Sequence, residues 1–463
     1  MDKKLSKIHF RNLNKTYYKD LESIHKLLIP PNKRVLEIGC GVGDLLAFVS
    51  PSYGVGIEID SSTVTFAQSR HPNLSIHQAN AEDITPKKIN ETEPFDIIII
   101  NNTLNTVKDV QGLLENLELF SHADTRLIIS FHNWLWQPFL KLAEKVGQRE
   151  PQPPESWLTP GDVKNLLDLS GWDVLKQGNR FLIPKQIPFV TNFSNRVLSQ
   201  LPILENIGLT HWLVARLGIR EKKDPSVSVI IPARNEAGNI KSAIERMPNL
   251  GLSTEVIFVE GHSSDNTWDE IQKICENYTG SFKLTSYKQT GKGKADAVWL
   301  GFDKAKGDIL IILDADLTVC PEDLPRFVQT MVDGNGDFIN GCRLVYPRSI
   351  KAMPFFNTLA NRFFASVFSW LLRQRLKDTL CGTKVLWSKD YEDIKNGRKY
   401  FGDFDPFGDF DLLFGASKLN LKIVEVPIRY QEREYGTSNI SHVKEGFILA
   451  KMCFVAAKKL RFI

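Results

Sequence analysis

The sequence predicts an α/β protein made of two Rossmann-like halves, each with a mostly parallel sheet. Residues 34–38 and 227–232 are short apolar runs typical of buried strands, and each leads into a turn. After both runs, apolar segments alternate with amphipathic ones, which is the pattern of β-α units. The charged stretch 221–225 between the halves ends in proline and shows no hydrophobic periodicity. We therefore predict one domain over residues 1–220, a linker over 221–225 and a second domain over 226–463.

Composition restricts the classes of function. A length of 463 residues suits two or three domains. The formal net charge of +4 is only mildly basic and does not indicate a nucleic-acid partner, although local basic clusters could meet a membrane surface. The six cysteines are scattered without a Cys-x-x-Cys pair, which favours reduced thiols in a cytosol. No apolar run approaches the roughly 18 residues of a membrane span, and no signal peptide is visible. We expect a cytoplasmic protein, peripheral on the cytoplasmic face of a membrane.

Three segments of the first half follow successive strand-like runs. The glycine-rich turn at 37–43 lets the backbone approach a ligand closely, although many strand-helix junctions need glycine for packing alone. Residue 58 puts a carboxylate at the next strand end, where ribose hydroxyls need an acceptor. The glycine order differs from the Gly-x-Gly-x-x-Gly of NAD sites. The candidate cofactor-binding residues are Glu37, Gly39, Gly41, Gly43, Glu58, Asn80, Ala81, Glu82 and Asn101.

This succession resembles the class I S-adenosylmethionine (SAM)-dependent methyltransferases over roughly residues 33–184. The resemblance implies that the glycine turn holds the methionine part of SAM, that Glu58 binds the ribose, and that residues 80–82 line the adenine. A glutamate at position 58 in place of the commoner aspartate keeps the carboxylate. The methyl acceptor stays open, because no general base follows Asn101 and a lone histidine such as His132 is more often a packing residue. A domain that only senses a nucleoside is the alternative.

The second half places polar residues after four strand-like runs. Lys292 and Lys294 lie in a glycine-containing loop before a helix, which is a natural place for an anionic phosphate. The apolar run 309–313 leads into Asp314 and Asp316, which strand alternation would put on one side. Two such carboxylates are suited to a hard cation, Mg²⁺ or Mn²⁺. An isolated Asp-x-Asp pair could be no more than a solvated turn. That alternative does not explain why this pair follows three other strand-like runs that end in polar residues.

Residues 226–439 resemble family 2 glycosyltransferases of the GT-A fold, in particular dolichol-phosphate mannose synthase and bacterial polyprenyl-phosphate glycosyltransferases. Later motifs support the narrower match: 340–343, 378–384, 408–411 and 424–427, with Gly436 and Ser438 beyond them. The resemblance implies a nucleotide-sugar donor, a polyprenyl phosphate acceptor and a single inverting transfer. It implies nucleotide contacts for Pro232, Ala233, Arg234, Glu236, Glu260 and Asp265, metal binding for Asp314 and Asp316, a place near the acceptor for Asp411, and phosphate contacts for Arg343 and Arg433. Glu260-Gly261 departs from the usual Asp-Asp pair, so the nucleotide base does not carry over.

A lipid phosphate is a chemically reasonable acceptor, because its oxygen is already anionic near neutral pH and needs no strong base. Two aromatic and basic stretches, 354–375 and 447–463, have the composition of helices that lie in a membrane interface. Buried core helices or an oligomer contact explain their periodicity nearly as well. Two alternatives therefore stay open: transfer to a non-lipid acceptor, and a first domain that binds SAM only as a regulatory or scaffold module. The sequence does not indicate an oligomeric state.

Overall fold

The computed structural model describes residues 3–153, 155–218, 224–346, 355–401, 408–433, 435 and 442–462, without the side chains of 3–5, 355–357 and 442–445. The chain divides into two compact units, Met1–Ile219 with Leu460–Ile463, and Arg220–Lys459. Within the described residues each unit is built on a mixed sheet of seven strands, which confirms the predicted α/β class. Linker residues 221–223, Pro354, Gly436 and Ser438 lie outside the described residues.

The first unit has the strand order β3-β2-β1-β4-β5-β7-β6, in which only β7 runs antiparallel to its neighbours among the described strands. The strands are β1 (Arg34–Ile38), β2 (Tyr53–Glu58), β3 (Ser75–Gln78), β4 (Phe95–Asn101), β5 (Ser121–His132), β6 (Trp172–Arg180) and β7 (Thr210–Leu217). The helices are α1 (Lys3–Leu13), α2 (Lys15–Leu28), α3 (Asp44–Phe48), α4 (Ser61–Arg70), α5 (Val110–Asn116), α6 (Gln137–Lys145), α7 (Pro160–Leu169) and α8 (Val190–Arg196).

Both faces of this sheet are buried. Along β1, Val35 belongs to one apolar cluster, whereas Leu36 and Ile38 belong to another on the opposite face. The same alternation holds along β4 for Ile97 and Ile98. A parallel strand covered on two sides must be apolar at nearly every position, which is why these runs show no polar alternation. The carboxyl ends of β1, β2 and β4 therefore meet at one edge of a fully covered sheet.

The second unit has the strand order β10-β9-β8-β11-β13-β12-β14, with β13 antiparallel to both of its neighbours. Its strands are β8 (Val227–Ala233), β9 (Thr254–Glu260), β10 (Lys283–Lys288), β11 (Ile309–Ile312), β12 (Phe338–Cys342), β13 (Lys384–Trp387) and β14 (Ile423–Pro427). The helices are α9 (Ile240–Glu245), α10 (Thr267–Asn277), α11 (Gly293–Lys304), α12 (Leu324–Val332), α13 (Phe355–Leu372), α14 (Ser388–Gly397), α15 (Asp409–Lys418) and α16 (His442–Ala456).

Strand β11 is shorter than its apolar run suggests. It ends at Ile312, so Asp314 and Asp316 lie in the following loop rather than on the strand. Leu317 in this loop has a positive φ of 53°, which turns the chain sharply after the second aspartate. Strand alternation therefore does not set the directions of the two carboxylates. Their neighbours do, as described below.

Helices α13 and α16 form most of the described part of the two aromatic and basic stretches. Each buries one side: Phe368 and Leu371 of α13, and Leu449 and Met452 of α16, are at most 5% exposed. Among the described residues, no helix combines the length and the apolar character needed to cross a bilayer.

Candidate functional site

The glycine-rich turn of the first unit is tied to the neighbouring strand. The backbone amides of Gly39 and Cys40 both donate to Ile57 O, at 2.8 and 2.9 Å. Gly39 and Gly41 have φ of +72° and +57°, in the region that favours glycine. A Cβ on Gly39 would lie 2.7 Å from Thr103 Cγ2, whereas a Cβ on Gly41 would meet only Lys7 Nζ, at 3.9 Å. Gly41 thus faces open space beside the predicted SAM site.

Glu58 closes β2 next to this turn. Its Oε1 accepts hydrogen bonds from the backbone amides of Ile59 and Asp60, at 2.9 and 3.1 Å. Its Oε2 forms an ion pair with Lys7 Nζ at 3.1 Å. The sequence did not predict the contact of Lys7 with Glu58, because Lys7 lies 51 positions away on α1 and belongs to no motif. The basic residues of α1 were the available signal, since Arg11 of the same helix pairs with Asp44 at 3.0 Å.

Glu37 lies beneath the turn on β1. Its side chain is almost fully buried, at 2% exposure, and its Oε2 has no hydrogen-bond partner among the described residues. Burial raises the pKa of Glu37 to about 8, and a hydrogen bond from the Leu46 amide offsets only part of that effect. Glu37 is therefore mostly protonated at neutral pH.

The residues predicted to line the adenine also hold loops together. Glu82 Oε1 accepts from the backbone amides of Lys108 and Asp109, at 2.5 and 2.9 Å. These two bonds keep the pKa of Glu82 below its usual value. Asn80 caps the short turn 81–83, which contains Ala81, by accepting from Glu82 N at 3.3 Å. The Glu82 carboxylate thus ties this segment to the loop before α5.

Polar side chains also gather at the ends of β4, β5 and β7. Asn101 Oδ1 accepts from Ser130 Oγ at 2.7 Å, which fixes the end of β4. Beside it, Tyr17 OH of α2 accepts from Asn102 Nδ2 at 3.0 Å and lies 3.4 Å from His132 Nε2. Desolvation lowers the pKa of His132 to about 3, so the ring is neutral at neutral pH. This cluster orients side chains but supplies no strong base.

In the second unit, the ends of β8 and β9 interlock. Gly261 N donates to Ala233 O at 2.9 Å, and Asn235 N donates to Ser263 Oγ at 3.0 Å. Asp265 accepts from the amides of Thr267 and Ala237, and Glu260 accepts from Ser263 N at 2.5 Å. The Glu260 and Asp265 carboxylates thus shape the predicted nucleotide site by fixing its backbone. Pro232 is partly exposed, and Arg234 is exposed at the rim.

Asp314 pairs with Lys294, which was predicted to contact phosphate. Lys294 Nζ, in the first turn of α11, lies 2.5 Å from Asp314 Oδ1. Burial opposes ionisation of Asp314, but the charge and hydrogen bond of Lys294 outweigh it and lower the pKa of Asp314. The close approach needs a glycine at position 382, where a Cβ would overlap Asp314 Oδ2 and lie 2.5 Å from Lys294 Nζ. Lys292, the residue before α11, is exposed.

Asp316 belongs to a second charged group. Arg433 Nη2 lies 2.5 Å from Asp316 Oδ2, and Arg433 Nη1 lies 3.8 Å from Glu236 Oε1. Glu236 is 7% exposed, and its Oε2 accepts from Asn239 Nδ2 at 2.7 Å. Burial raises the pKa of Glu236 to about 7, and the charges of Asp316 and Asp314 add to the rise. Three predicted site residues, Glu236, Asp316 and Arg433, therefore meet at this edge of the sheet.

Arg343 is bound by a buried aspartate. Its Nε and Nη2 each donate to the Asp378 carboxylate at 2.7 Å, and Asn361 Nδ2 donates to the same carboxylate at 2.8 Å. Asp378 is fully buried; burial opposes its charge, but Arg343 lowers its pKa to about 2. The two residues are 35 positions apart, so the sequence motifs did not reveal the pair. The guanidinium edge that was predicted to contact phosphates is occupied by Asp378 in this structure.

The first turn of α15 contributes two more carboxylates. Asp409 and Asp411 are each 7% exposed. Asp409 Oδ1 lies 3.9 Å from Lys384 Nζ and has no hydrogen-bond partner among the described residues, and burial raises the pKa of Asp409. No group of three or more His, Cys, Asp or Glu side chains is arranged as a metal site in the part of the chain that the structure describes.

Two family models match the chain. Residues 29–168 match the model of a methyltransferase domain, and residues 228–392 match the model of glycosyl transferase family 2. The first unit thus contains a methyltransferase domain over residues 29–168, and the second contains a family 2 glycosyltransferase domain over residues 228–392. The chain is a fusion of these two domains.

The chain is also similar to curated relatives and to a solved structure. The chain is 30% identical over 221 residues to a dolichol-phosphate mannosyltransferase of Pyrococcus furiosus, covering 46% of this chain and 59% of that protein. It is 25% identical over 222 residues to an undecaprenyl-phosphate 4-deoxy-4-formamido-L-arabinose transferase of Edwardsiella ictaluri, covering 47% of this chain and 64% of that one. The chain thus spans about three-fifths of the length of each relative. A solved SAM-dependent methyltransferase from Thermotoga maritima is 16% identical, with a TM-score of 0.35, covering 45% of this chain and 92% of that one.

Proposed function

We propose that the second unit transfers a sugar from a nucleotide-sugar to a polyprenyl phosphate in one inverting step. The observation that carries the proposal is the meeting of Glu236, Asp316 and Arg433 at the sheet edge, beside the Asp314–Lys294 pair. Cations can hold a diphosphate, and neighbouring carboxylates can hold those cations in place. The similarity to a dolichol-phosphate and an undecaprenyl-phosphate transferase supports a lipid phosphate as the acceptor.

We propose that a divalent cation binds at this edge of the sheet. Glu236 has a pKa raised to about 7, because it is buried beside Asp316 and Asp314, so a further positive charge would relieve this site. Oxygen ligands are those that Mg²⁺ and Mn²⁺ prefer, and Asp314 and Asp316 would hold the ion. A bound cation would supply neutralising charge for the departing nucleoside diphosphate.

The chain's own residues have separate tasks in this proposal. Lys294 and Arg433 hold the Asp314 and Asp316 carboxylates in place through their ion pairs. An acceptor phosphate oxygen attacks the anomeric carbon directly, and the diphosphate leaves from the opposite side. Because that oxygen is already anionic, no residue has to remove a proton. Asp411, in the first turn of α15, is proposed to lie near the acceptor.

The exposed sides of α13 and α16 support contact with a membrane surface. Leu359 and Phe363 of α13 are 56% and 63% exposed, and Phe447 and Phe454 of α16 are 75% and 73% exposed. Exposed Lys451 lies on α16 between its two phenylalanines. Aromatic side chains with interleaved cations bind an anionic lipid interface through insertion and charge attraction. We propose a peripheral location at the membrane that holds the acceptor.

A screen of sugar nucleotides tests this function. Full-length protein is incubated with each sugar nucleotide and a short-chain polyprenyl phosphate, and products are detected by mass spectrometry. We expect one polyprenyl-phospho-sugar product, which chelation of divalent cations removes and added Mg²⁺ or Mn²⁺ restores. A sugar product formed only on a soluble acceptor would favour the non-lipid alternative.

We also propose that the first unit binds SAM and transfers its methyl group to an acceptor still to be identified. The open space at Gly41 and the Glu58 carboxylate beside it support a nucleoside ligand. SAM should raise the thermal stability of the full chain, since a ligand that binds only the folded state stabilises it by mass action. Gly41→Val should remove that shift by filling the space.

Gly147→Val is the matched control for this substitution. Gly147 also has a positive φ, +68°, and an added Cβ there would meet nothing within 4 Å. Both variants therefore carry similar backbone strain, and only one changes the proposed pocket. Equal SAM-induced shifts in the two variants would contradict the proposed site. A SAM shift without methyl transfer to any acceptor in a cell extract would favour a regulatory or scaffold role.

A further inference from the structure

Helix α8 of the first unit is held with its polar side inward. Its buried residues are Thr191, Ser194 and Asn195. Asn195 Oδ1 accepts from the backbone amides of Leu182 and Ile183, at 3.0 and 2.9 Å, and Asn195 Nδ2 donates to Ile183 O at 2.8 Å. These hydrogen bonds tie the helix to the segment before it, so polar contacts set its orientation.

The apolar side of α8 faces outward as a result. Phe189, the residue before the helix, is 91% exposed, and Phe193, one turn later, is 57% exposed. Phe189 also has a positive φ of 62°, a backbone conformation that costs energy for a bulky residue. A surface helix in water usually has the opposite arrangement, with its apolar residues on the buried side. This inversion indicates that another surface covers the outer side of α8.

Helix α6 shows the same inversion. All of its residues are described, and none is buried. Phe139 and Leu142, one turn apart, are 63% and 58% exposed, and Val146, just beyond the helix, continues the exposed stripe. The Glu144 and Arg149 side chains, by contrast, are only 12% and 14% exposed and form an ion pair with each other. The helix thus shelters charges and exposes apolar side chains.

The two helices and a third apolar segment lie side by side. Lys185 Nζ, before α8, donates to Gln148 Oε1, after α6, at 3.0 Å. Trp136 Nε1, before α6, donates to Ile207 O at 2.9 Å and so holds the segment 201–207, in which Ile203 is 90% exposed. We define the outer apolar surface as Phe139, Leu142, Val146, Phe189, Phe193 and Ile203. Exposed apolar patches on a folded chain mark sites of interaction.

The charges around the outer apolar surface are mainly positive. Segments 134–149 and 185–207 contain five Lys or Arg residues and two Glu residues. Of these cations, Lys145, Lys185 and Arg196 are exposed. A second copy of the chain would bring like charges together across a two-fold interface, whereas an anionic lipid surface would attract them. Aromatic and aliphatic side chains beside cations are also the composition of surfaces that insert into a lipid interface.

We propose that the outer apolar surface binds an anionic lipid membrane directly through the first unit. Lipid replaces water around the exposed apolar side chains, and the neighbouring cations lie against lipid phosphates. This inference goes beyond the proposed sugar transfer, because it assigns a membrane contact to the unit that contains the methyltransferase domain and requires neither α13 nor α16.

Sedimentation of the full-length protein with vesicles of phosphatidylglycerol and phosphatidylcholine tests this surface. Phe139→Ser combined with Phe189→Ser should weaken vesicle binding by about tenfold or more, because burying one phenylalanine side chain strengthens binding by roughly that factor. The control combines Leu119→Ser with Leu169→Ser, at residues of the first unit that are 58% and 61% exposed outside this surface, and should keep wild-type binding. Added salt should weaken vesicle binding of the wild type.

Tryptophan quenching shows whether lipid reaches this part of the chain. Trp134, just before α6, is 49% exposed. Vesicles with brominated acyl chains should quench the fluorescence of the wild type, and Trp134→Phe should lose part of that quenching. Contacts made only by α13 or α16 would leave Trp134 unquenched, so equal quenching in the two proteins would overturn the proposal.

Equal vesicle binding by the wild type and the double phenylalanine variant would also overturn the proposal. So would a wild type that is dimeric without lipid and a double variant that is monomeric, because the surface would then join two copies of the chain. Both phenylalanines are exposed, so the double variant should keep the wild-type thermal midpoint. If sugar transfer is not found but these vesicle results hold, the proposed function fails and this inference stands.

Discussion

Gly382→Ala should damage the acidic site while changing the protein by a single methyl group. The added Cβ would overlap Asp314 Oδ2 and lie 2.7 Å from Asp314 Cγ. The backbone has little room to retreat, because the next residues, Thr383 and Lys384, are fully buried. The atoms that this Cβ meets are the ends of the Asp314 and Lys294 side chains, which can shift, so the cost in unfolding free energy should lie at the low end of the roughly 1–3 kcal/mol of overpacking. A displacement of Asp314 by about 1 Å would lower kcat/KM for sugar transfer about 100-fold.

Gly397→Ala is the matched control, since a Cβ at Gly397 meets nothing within 4 Å and its φ is negative. It should change the unfolding free energy by no more than about 0.5 kcal/mol and leave the rate of transfer unchanged. Denaturant titration gives the free energies, and initial rates at fixed substrate concentrations give the activity. If both alanine variants match the wild type in stability and rate, residue 382 does not pack against Asp314 as described.

Two further predictions concern pH and lipid. Because the pKa of Glu37 is raised from 4.5 to about 8, the folded chain keeps a proton that the unfolded chain loses across this interval. The contribution of Glu37 to stability therefore falls as pH rises from about 4.5 to 8. Over that interval, denaturant titration should show Glu37→Gln gaining stability relative to the wild type. Parallel plots of unfolding free energy against pH for the two proteins would contradict the burial argument. Replacing Phe447 and Phe454 by serine should reduce sedimentation with anionic vesicles several-fold. The control is Leu252→Ser, at a residue that is 77% exposed outside the two helices, and it should not reduce sedimentation. Equal sedimentation of the two variants would rule out α16 as the contact surface.

Strands and turns that depend on local sequence were predictable. The apolar run 34–38 became β1, and the glycines after it have the positive φ values that only glycine adopts easily. The order of strands and acidic turns in the second half likewise indicated which residues gather at one sheet edge. The prediction of strand geometry for Asp314 and Asp316 was wrong in detail, because β11 ends at Ile312 and the loop after it sets their directions.

Contacts between distant segments were not predictable from one sequence. Lys7 reaches Glu58 across 51 positions, and Arg343 meets Asp378 across 35. Each pair depends on how helices and loops pack on the sheet, which local patterns do not encode. The outer apolar surface could not be inferred either, because the hydrogen bonds of Asn195 that turn the polar side of α8 inward are tertiary features.

Asp316→Asn tests the central claim, that the acidic edge of the second unit carries sugar transfer. Thr318 Oγ1 donates a hydrogen bond to Asp316 Oδ1, and the side-chain oxygen of asparagine can accept the same bond. The substitution removes the negative charge that pairs with Arg433. With the donor and polyprenyl phosphate identified by the screen, the initial rate should fall by about 100-fold or more. Asp393→Asn, at an exposed residue of α14, should keep the wild-type rate. Equal rates for the two variants would contradict the account.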